Sequence, residues 1–165
     1  MFMAEKYFEK DSVNLALFGD GNYLGFLDII DDYKMTKSAN LSKYYAGICY
    51  LKLGNWEEAI SYLKKFKKKD EMVSAMAIGA IGDAYMEMSD PDKAAGYYMK
   101  AANDRTNEFT TPLFLMKAGI TYEQMGEWDK ALKAYERIKN EYDKSFEGRG
   151  VDKYLIRAKE LASQG

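Results

Sequence analysis

One pattern recurs three times along this chain and leaves little choice of fold. It first reads Ala46-Gly47-Ile48-Cys49-Tyr50, then Gly54-Asn55-Trp56-Glu57-Glu58-Ala59, then Tyr62-Leu63. It returns as Ile81-Gly82-Asp83-Ala84-Tyr85, Ser89-Asp90-Pro91-Asp92-Lys93-Ala94 and Tyr97-Tyr98. The third copy is Ala118-Gly119-Ile120-Thr121-Tyr122, Gly126-Glu127-Trp128-Asp129-Lys130-Ala131 and Ala134-Tyr135. Gly47, Gly82 and Gly119 are 35 and 37 residues apart. A period of about 34 residues is that of a helix–turn–helix solenoid unit. Each position has a steric reason. Gly47, Gly82 and Gly119 let the first helix of a pair (helix A) approach the second (helix B) closely. Tyr50, Tyr85 and Tyr122 follow three residues later on the same helical face. Gly54 and Gly126 end helix A in the left-handed conformation that glycine adopts cheaply. In the middle copy Ser89 stands there instead, and Asp90 and Pro91 open helix B. Ala59, Ala94 and Ala131 are the small contacts of helix B, and Leu63, Tyr98 and Tyr135 fill space one turn later.

This constellation resembles the tetratricopeptide-repeat (TPR) family over about Asn40 to Asn140. The resemblance implies an all-α fold: a TPR α-solenoid, a right-handed superhelix of helix–turn–helix repeats, closed by a C-terminal capping helix. The expected organisation is a single TPR domain over 1–165. Its parts are a degenerate N-terminal helical unit at 1–39, repeats at 40–74, 75–111 and 112–145, and a capping helix at 151–163. Tyr154, Leu155, Ala158 and Leu161 share one face of that last helix, as a solenoid's closing element requires. The N-terminal unit leaves two registers open. Gly21-Asn22-Tyr23 plays the part of Gly54-Asn55-Trp56, or Asp11 to Leu17 begins helix B and Gly19 to Gly25 is an insertion. A three-helix start is favoured.

Composition removes several function classes. The chain has no histidine, which excludes Ser-His-Asp and Cys-His catalysis and the commonest transition-metal ligand. The net charge of −2 argues against nucleic acid. No apolar run reaches the ~18 residues of a membrane span. No Walker or dinucleotide glycine loop appears. Asp20-Gly21-Asn22 lacks the downstream glutamate of a calcium loop and reads as a turn or cap. The acidic groups Asp28, Asp31, Asp32 and Glu57, Glu58 read as solvent-facing helix positions. Cys49 replaces Ala84 and Thr121 of the other copies and reads as a buried, unreactive thiol. The run Lys64-Lys65-Phe66-Lys67-Lys68-Lys69 reads as the solvated end of a B helix, where cations suit the dipole. Contact with anionic lipid or an acidic partner is the alternative. The expectation is therefore a chain with no catalytic, metal or cofactor site.

Three further tracts carry a narrower resemblance. They are Asp20-Gly21-Asn22-Tyr23-Leu24-Gly25-Phe26-Leu27, Ala39-Asn40-Leu41-Ser42-Lys43-Tyr44-Tyr45-Ala46-Gly47, and Phe146-Glu147-Gly148-Arg149-Gly150-Val151-Asp152-Lys153-Tyr154. They look like the membrane-anchored TPR proteins of the Bacteroides group, related to the YfgM-like ancillary subunits of the Sec translocon. That resemblance implies a domain on the periplasmic side of the bacterial inner membrane, with the anchor helix outside this chain. Its implied partners are the translocon or envelope chaperones, and its implied role is that of an adaptor for secretion. A homodimeric structural module and a cytoplasmic regulatory adaptor are the competing expectations.

In TPR proteins helix A lines the concave face. By that resemblance the partner-binding groove takes Leu41, Tyr44, Ile48 and Leu51, with Lys52, from the first copy. The second offers Met76, Asp83, Met86 and Glu87, with Gly79. The third offers Leu113, Met116, Ile120 and Glu123, with Gln124. This surface is apolar with an acidic rim, and methionine adapts to varied apolar partners. The positions that grip a chaperone's C-terminal carboxylate in some TPR domains hold Tyr44, Ile48, Ala80, Met76 and Lys117 here. Only one of these is basic, so a carboxylate clamp is disfavoured.

Overall fold

Each of the three copies folds as a pair of antiparallel helices in the computed structural model, which describes residues 1–67 and 71–163. All regular structure among the described residues is helical. The chain divides into two compact units, Met1–Lys68 and Lys69–Gly165.

The first unit holds α1 (Phe2–Glu9), α2 (Val13–Phe18), α3 (Phe26–Asp32), α4 (Lys37–Lys52) and α5 (Trp56–Lys65). It opens with three helices, and α3 takes the place of helix B ahead of α4. Helix α3 starts at Phe26 and not at Tyr23, after the Gly19–Gly25 loop that the second register treats as an insertion. Asp11, at φ +56°, breaks the preceding helical stretch into α1 and α2. Asp20 holds the loop. Its carboxylate accepts the Tyr7 hydroxyl at 2.6 Å and the backbone N–H groups of Asn22 and Tyr23 at 2.9 and 2.7 Å. The tyrosine's hydrogen bond, then those of the backbone, lower its pKa. Asp28 closes the start of α3 by accepting Gly25 N–H at 2.9 Å. Thr36 caps α4 through Ala39 N–H at 3.1 Å. Tyr45 of α4 stacks on Phe26 with ring centroids 5.0 Å apart and meets Phe8 edge-on at 5.2 Å. These contacts seat the N-terminal helices on the first hairpin.

The second unit holds α6 (Glu71–Glu87), α7 (Pro91–Asn103), α8 (Thr110–Gln124), α9 (Trp128–Glu141) and α10 (Asp152–Ala162), the last preceded by a 3-10 turn at Gly148–Gly150. Its core joins Ile78, Tyr98, Phe114, Leu115, Tyr135 and Ile138 to Val151 and Ala158. The final helix thus closes α9, with Tyr154 and Leu155 against the core.

The repeat signature acts as the sequence implies. A Cβ on Gly47 would lie 2.5 Å from Leu63 Cγ, and one on Gly82 would lie 2.7 Å from a Tyr98 ring carbon. Gly119 faces the ring of Tyr135 in the same way. The A-to-B turns are also alike. Gly54, Ser89 and Gly126 have φ of +77°, +58° and +73°. In each turn the next residue's N–H reaches five residues back: Asn55 to Tyr50, Asp90 to Tyr85 and Glu127 to Tyr122, all at 2.9 Å. Asp90 then caps α7 by accepting Lys93 N–H at 3.1 Å, with Pro91 in the first turn.

The lysine run differs from its expected form. The helix stops at Lys65, and Phe66, only 6 % exposed, turns inward in extended backbone. Asn40 then clasps the backbone of Lys67 with two hydrogen bonds, of 3.0 and 2.8 Å. Burial of Phe66 and this clasp end the helix before the charges do, so only Lys64 and Lys65 lie in its last turn. Lys68 and Lys69 lie outside the described residues. Cys49 is buried, and burial pushes its thiol up to about 12.

Candidate functional site

In the first unit the expected surface residues all stand on α4. Leu41, Tyr44, Ile48 and Leu51 are each half-buried, while Lys52 is exposed. The Tyr44 ring lies 5.5 Å from that of Tyr45 and 5.9 Å from that of Phe66. Burial raises its pKa. Lys52 is engaged with Asp11 at 2.5 Å and lies over the Phe8 ring.

In the second unit Met76 and Glu87 are exposed, while Asp83, Met86, Leu113, Met116, Ile120 and Glu123 are half-buried. Met86, Leu113 and Met116 pack on the core while keeping part of their surface open. Gly79 is a packing residue: it is buried, and a Cβ there would strike the ring of Phe114. Its place is between α6 and α8, where it permits their approach.

The acidic rim is largely neutralised from within. Asp83 accepts the Tyr98 hydroxyl and the Lys117 ammonium, each at 2.7 Å. Burial, then the hydrogen bond to Asp83, raises the Tyr98 pKa. Glu123 is held by the Arg157 guanidinium of α10, with one contact at 3.3 Å and a shorter one from Nη2. Its side chain is only 10 % exposed. Arg157 also lies over the Tyr154 ring, 5.3 Å from its centroid. Lys117, the one cation at the clamp positions, is therefore already paired.

Beside Met116 the loop after α9 and the start of α10 form an open hollow of about 470 Å³. Met116, Phe146 and Tyr154 supply its apolar lining, and Glu147, Arg149 and Lys153 its charged edge. Phe146 is 88 % exposed. Of these residues the sequence reading had placed only Met116 in a binding surface. The others lie in the tract quoted for the narrower resemblance, and the apolar Phe146 beside two glycines was a signal that could have found them. The hollow has an apolar floor and one net positive charge, the opposite sign to the expected rim. It suits an apolar side chain followed by a carboxylate.

Comparison with known proteins agrees with this architecture. The tetratricopeptide-repeat family model matches residues 42–70 and 114–145. The middle hairpin, between those matches, has the same close approach of a helix-A glycine to the side chain sixteen residues on. A crystal structure of MamA is similar at a TM-score of 0.66 and 22% identity, covering 99% of this chain and 96% of that one. A second MamA structure gives 0.65 and 22%, over 99% and 88%. The nearly identical TPR-like repeats of a putative kinesin light chain from Podosopora anserina give 0.69 and 14%, over 98% and 84%. No curated protein matches the sequence. Residues 42–70 and 114–145 match TPR repeats, and the fold of the chain is of the all-α TPR solenoid class.

Proposed function

We propose that this TPR chain is a non-enzymatic protein-binding scaffold that receives an apolar segment of another protein. The observation that carries this reading is the hollow beside Met116, with Phe146 left almost wholly in water. Large apolar surface that stays uncovered favours association, because covering it releases about 25 cal/mol per Å². Methionine and tyrosine at the same place suit a variable apolar ligand. The half-buried or exposed residues of α4 (Leu41, Tyr44, Ile48, Leu51), α6 (Met76, Asp83, Met86, Glu87) and α8 (Leu113, Met116, Ile120, Glu123) belong to the proposal as further contact residues.

The finer reading places the chain at the periplasmic side of a bacterial inner membrane, as an adaptor between secretion machinery and emerging proteins. It rests on the three sequence tracts that resemble membrane-anchored TPR proteins. Crosslinking in the native host, read by mass spectrometry, tests both levels. The wild-type chain should capture a partner that the double variant Met116→Ala, Phe146→Ala captures far less. Equal capture by the variant rejects the hollow as the site. Translocon subunits or envelope chaperones among the captured proteins support the adaptor reading; only cytosolic proteins, or only copies of the chain, reject it.

A further inference from the structure

The first two hairpins share an aromatic pair that the third has lost. Tyr50 of α4 stacks on Tyr62 of α5, and Tyr85 of α6 stacks on Tyr97 of α7, both with centroids 5.4 Å apart and interplanar angles of 20° and 27°. The partners are twelve residues apart in each case. In the third hairpin α8 keeps Tyr122, but the residue twelve positions on is Ala134. Beside it is an open cavity of about 270 Å³. Met99, Leu115 and Tyr122 form its floor, and Ala134 forms one side. An apolar cavity of roughly 150 Å³ suffices for benzene, so a single aromatic ring fits.

The edge of this cavity is cationic. Lys130, Lys133 and Arg137 all border it. Lys130 lies over the Tyr122 ring at 5.5 Å and pairs with Glu127. Arg137 is held by Glu141 at 3.0 Å and by Asn103 at 2.6 Å. Lys133 is exposed and, among the described residues, has no ion pair. The Asp92 carboxylate also acts on Lys130, so Lys133 is the cation of this edge left to meet a ligand's charge.

We infer that this cavity is a socket for a phenylalanine or tyrosine side chain supplied by an acidic segment of a partner protein. The incoming ring stacks on Tyr122 where the other hairpins place their own tyrosine. A carboxylate next to it in the partner meets Lys133. The site is separate from the hollow beside Met116, and it selects by ring and by charge.

The test uses the full chain and an acetylated, amidated pentapeptide, Asp-Glu-Phe-Asp-Glu, followed by amide chemical shifts. Binding should move the signals of Tyr122, Lys133 and Ala134. The same peptide with alanine for phenylalanine, and its lysine-flanked counterpart, should bind roughly fivefold more weakly or worse. Ala134→Tyr rebuilds the internal pair, so it should abolish binding while raising the melting temperature. Lys133→Glu, a surface change that leaves the packing alone, should weaken binding roughly threefold. The Met116→Ala, Phe146→Ala variant should bind the peptide as the wild type does, which separates this socket from the proposed hollow. Unchanged affinity in Ala134→Tyr overturns the inference. So does equal binding of the alanine peptide, or shifts confined to Phe146 and Tyr154. Self-association relieved by Ala134→Tyr, with no peptide response, overturns it in favour of a second copy of the chain.

Discussion

At the scale of the residue, three glycines and one serine carry the repeat. Gly82 has no room for a methyl group, because the Tyr98 ring is 4 % exposed and cannot retreat. Gly82→Ala should therefore cost about 1–3 kcal/mol in urea unfolding, the usual penalty for overpacking. A loss below about 0.5 kcal/mol would show that the ring yields. Ser89 presents the opposite case. It holds φ +58° where its counterparts are glycine. Left-handed backbone costs a residue with a Cβ about 1–2 kcal/mol, and glycine's extra freedom when unfolded returns part of that. Ser89→Gly should raise stability by about 0.5–1 kcal/mol. Both jobs were legible in the sequence because they are local: each glycine meets a side chain sixteen residues on, within one hairpin. The Ala134 vacancy was equally visible in the alignment of Tyr62, Tyr97 and Ala134. The large Tyr135 that follows it masks the missing ring in the repeat pattern.

At the scale of the element, α10 does more than cover an apolar edge. Its Ala158 is fully buried, its Arg157 neutralises Glu123, and its Lys153 and Tyr154 border the hollow. Replacing Ala158 with glutamate forces an unpaired charge into that contact, at a cost of about 2–4 kcal/mol. Hydrogen exchange should then show α10 released while α8 and α9 stay protected; uniform loss of protection across the unit would refute a separable cap. The existence and face of this helix followed from its apolar spacing. Its pairing with Glu123, and that of Lys117 with Asp83, did not, since each joins residues 34 apart in sequence. Charge pattern alone gives no sign of which acid a distant cation will take. The early stop of α5 was hidden for a similar reason: it depends on Asn40, 27 residues upstream of Lys67.

For the molecule as a whole, the abundance of tyrosine makes alkali the condition to watch. Burial raises the pKa of Tyr44, Tyr45, Tyr50, Tyr62, Tyr98, Tyr122 and Tyr135. In the unfolded chain a phenol ionises near 10. The folded state holds these protons longer than the unfolded state does, so stability falls as pH climbs. Their contribution is intact below about pH 9 and declines above about pH 10. Melting temperatures measured from pH 7 to 11 should be level at first and then drop, with phenolate absorbance lagging behind that of the unfolded chain. A level profile to pH 11 would mean that these rings are open to solvent. The hairpin order from α4 to α9 was readable because three copies state it three times. The three-helix start was readable too, but its register was not, because Asp11 and the Gly19–Gly25 loop break a unit that occurs once.

Cys49 has a practical corollary. It is the one thiol in the sequence, it is buried, and its ionisation is displaced to about 12. A cysteine placed at an exposed position such as Lys133 or Phe146 would thus be the sole reactive thiol at neutral pH. Spin labels, fluorophores or photocrosslinkers could be attached there to the otherwise native chain, one recognition surface at a time.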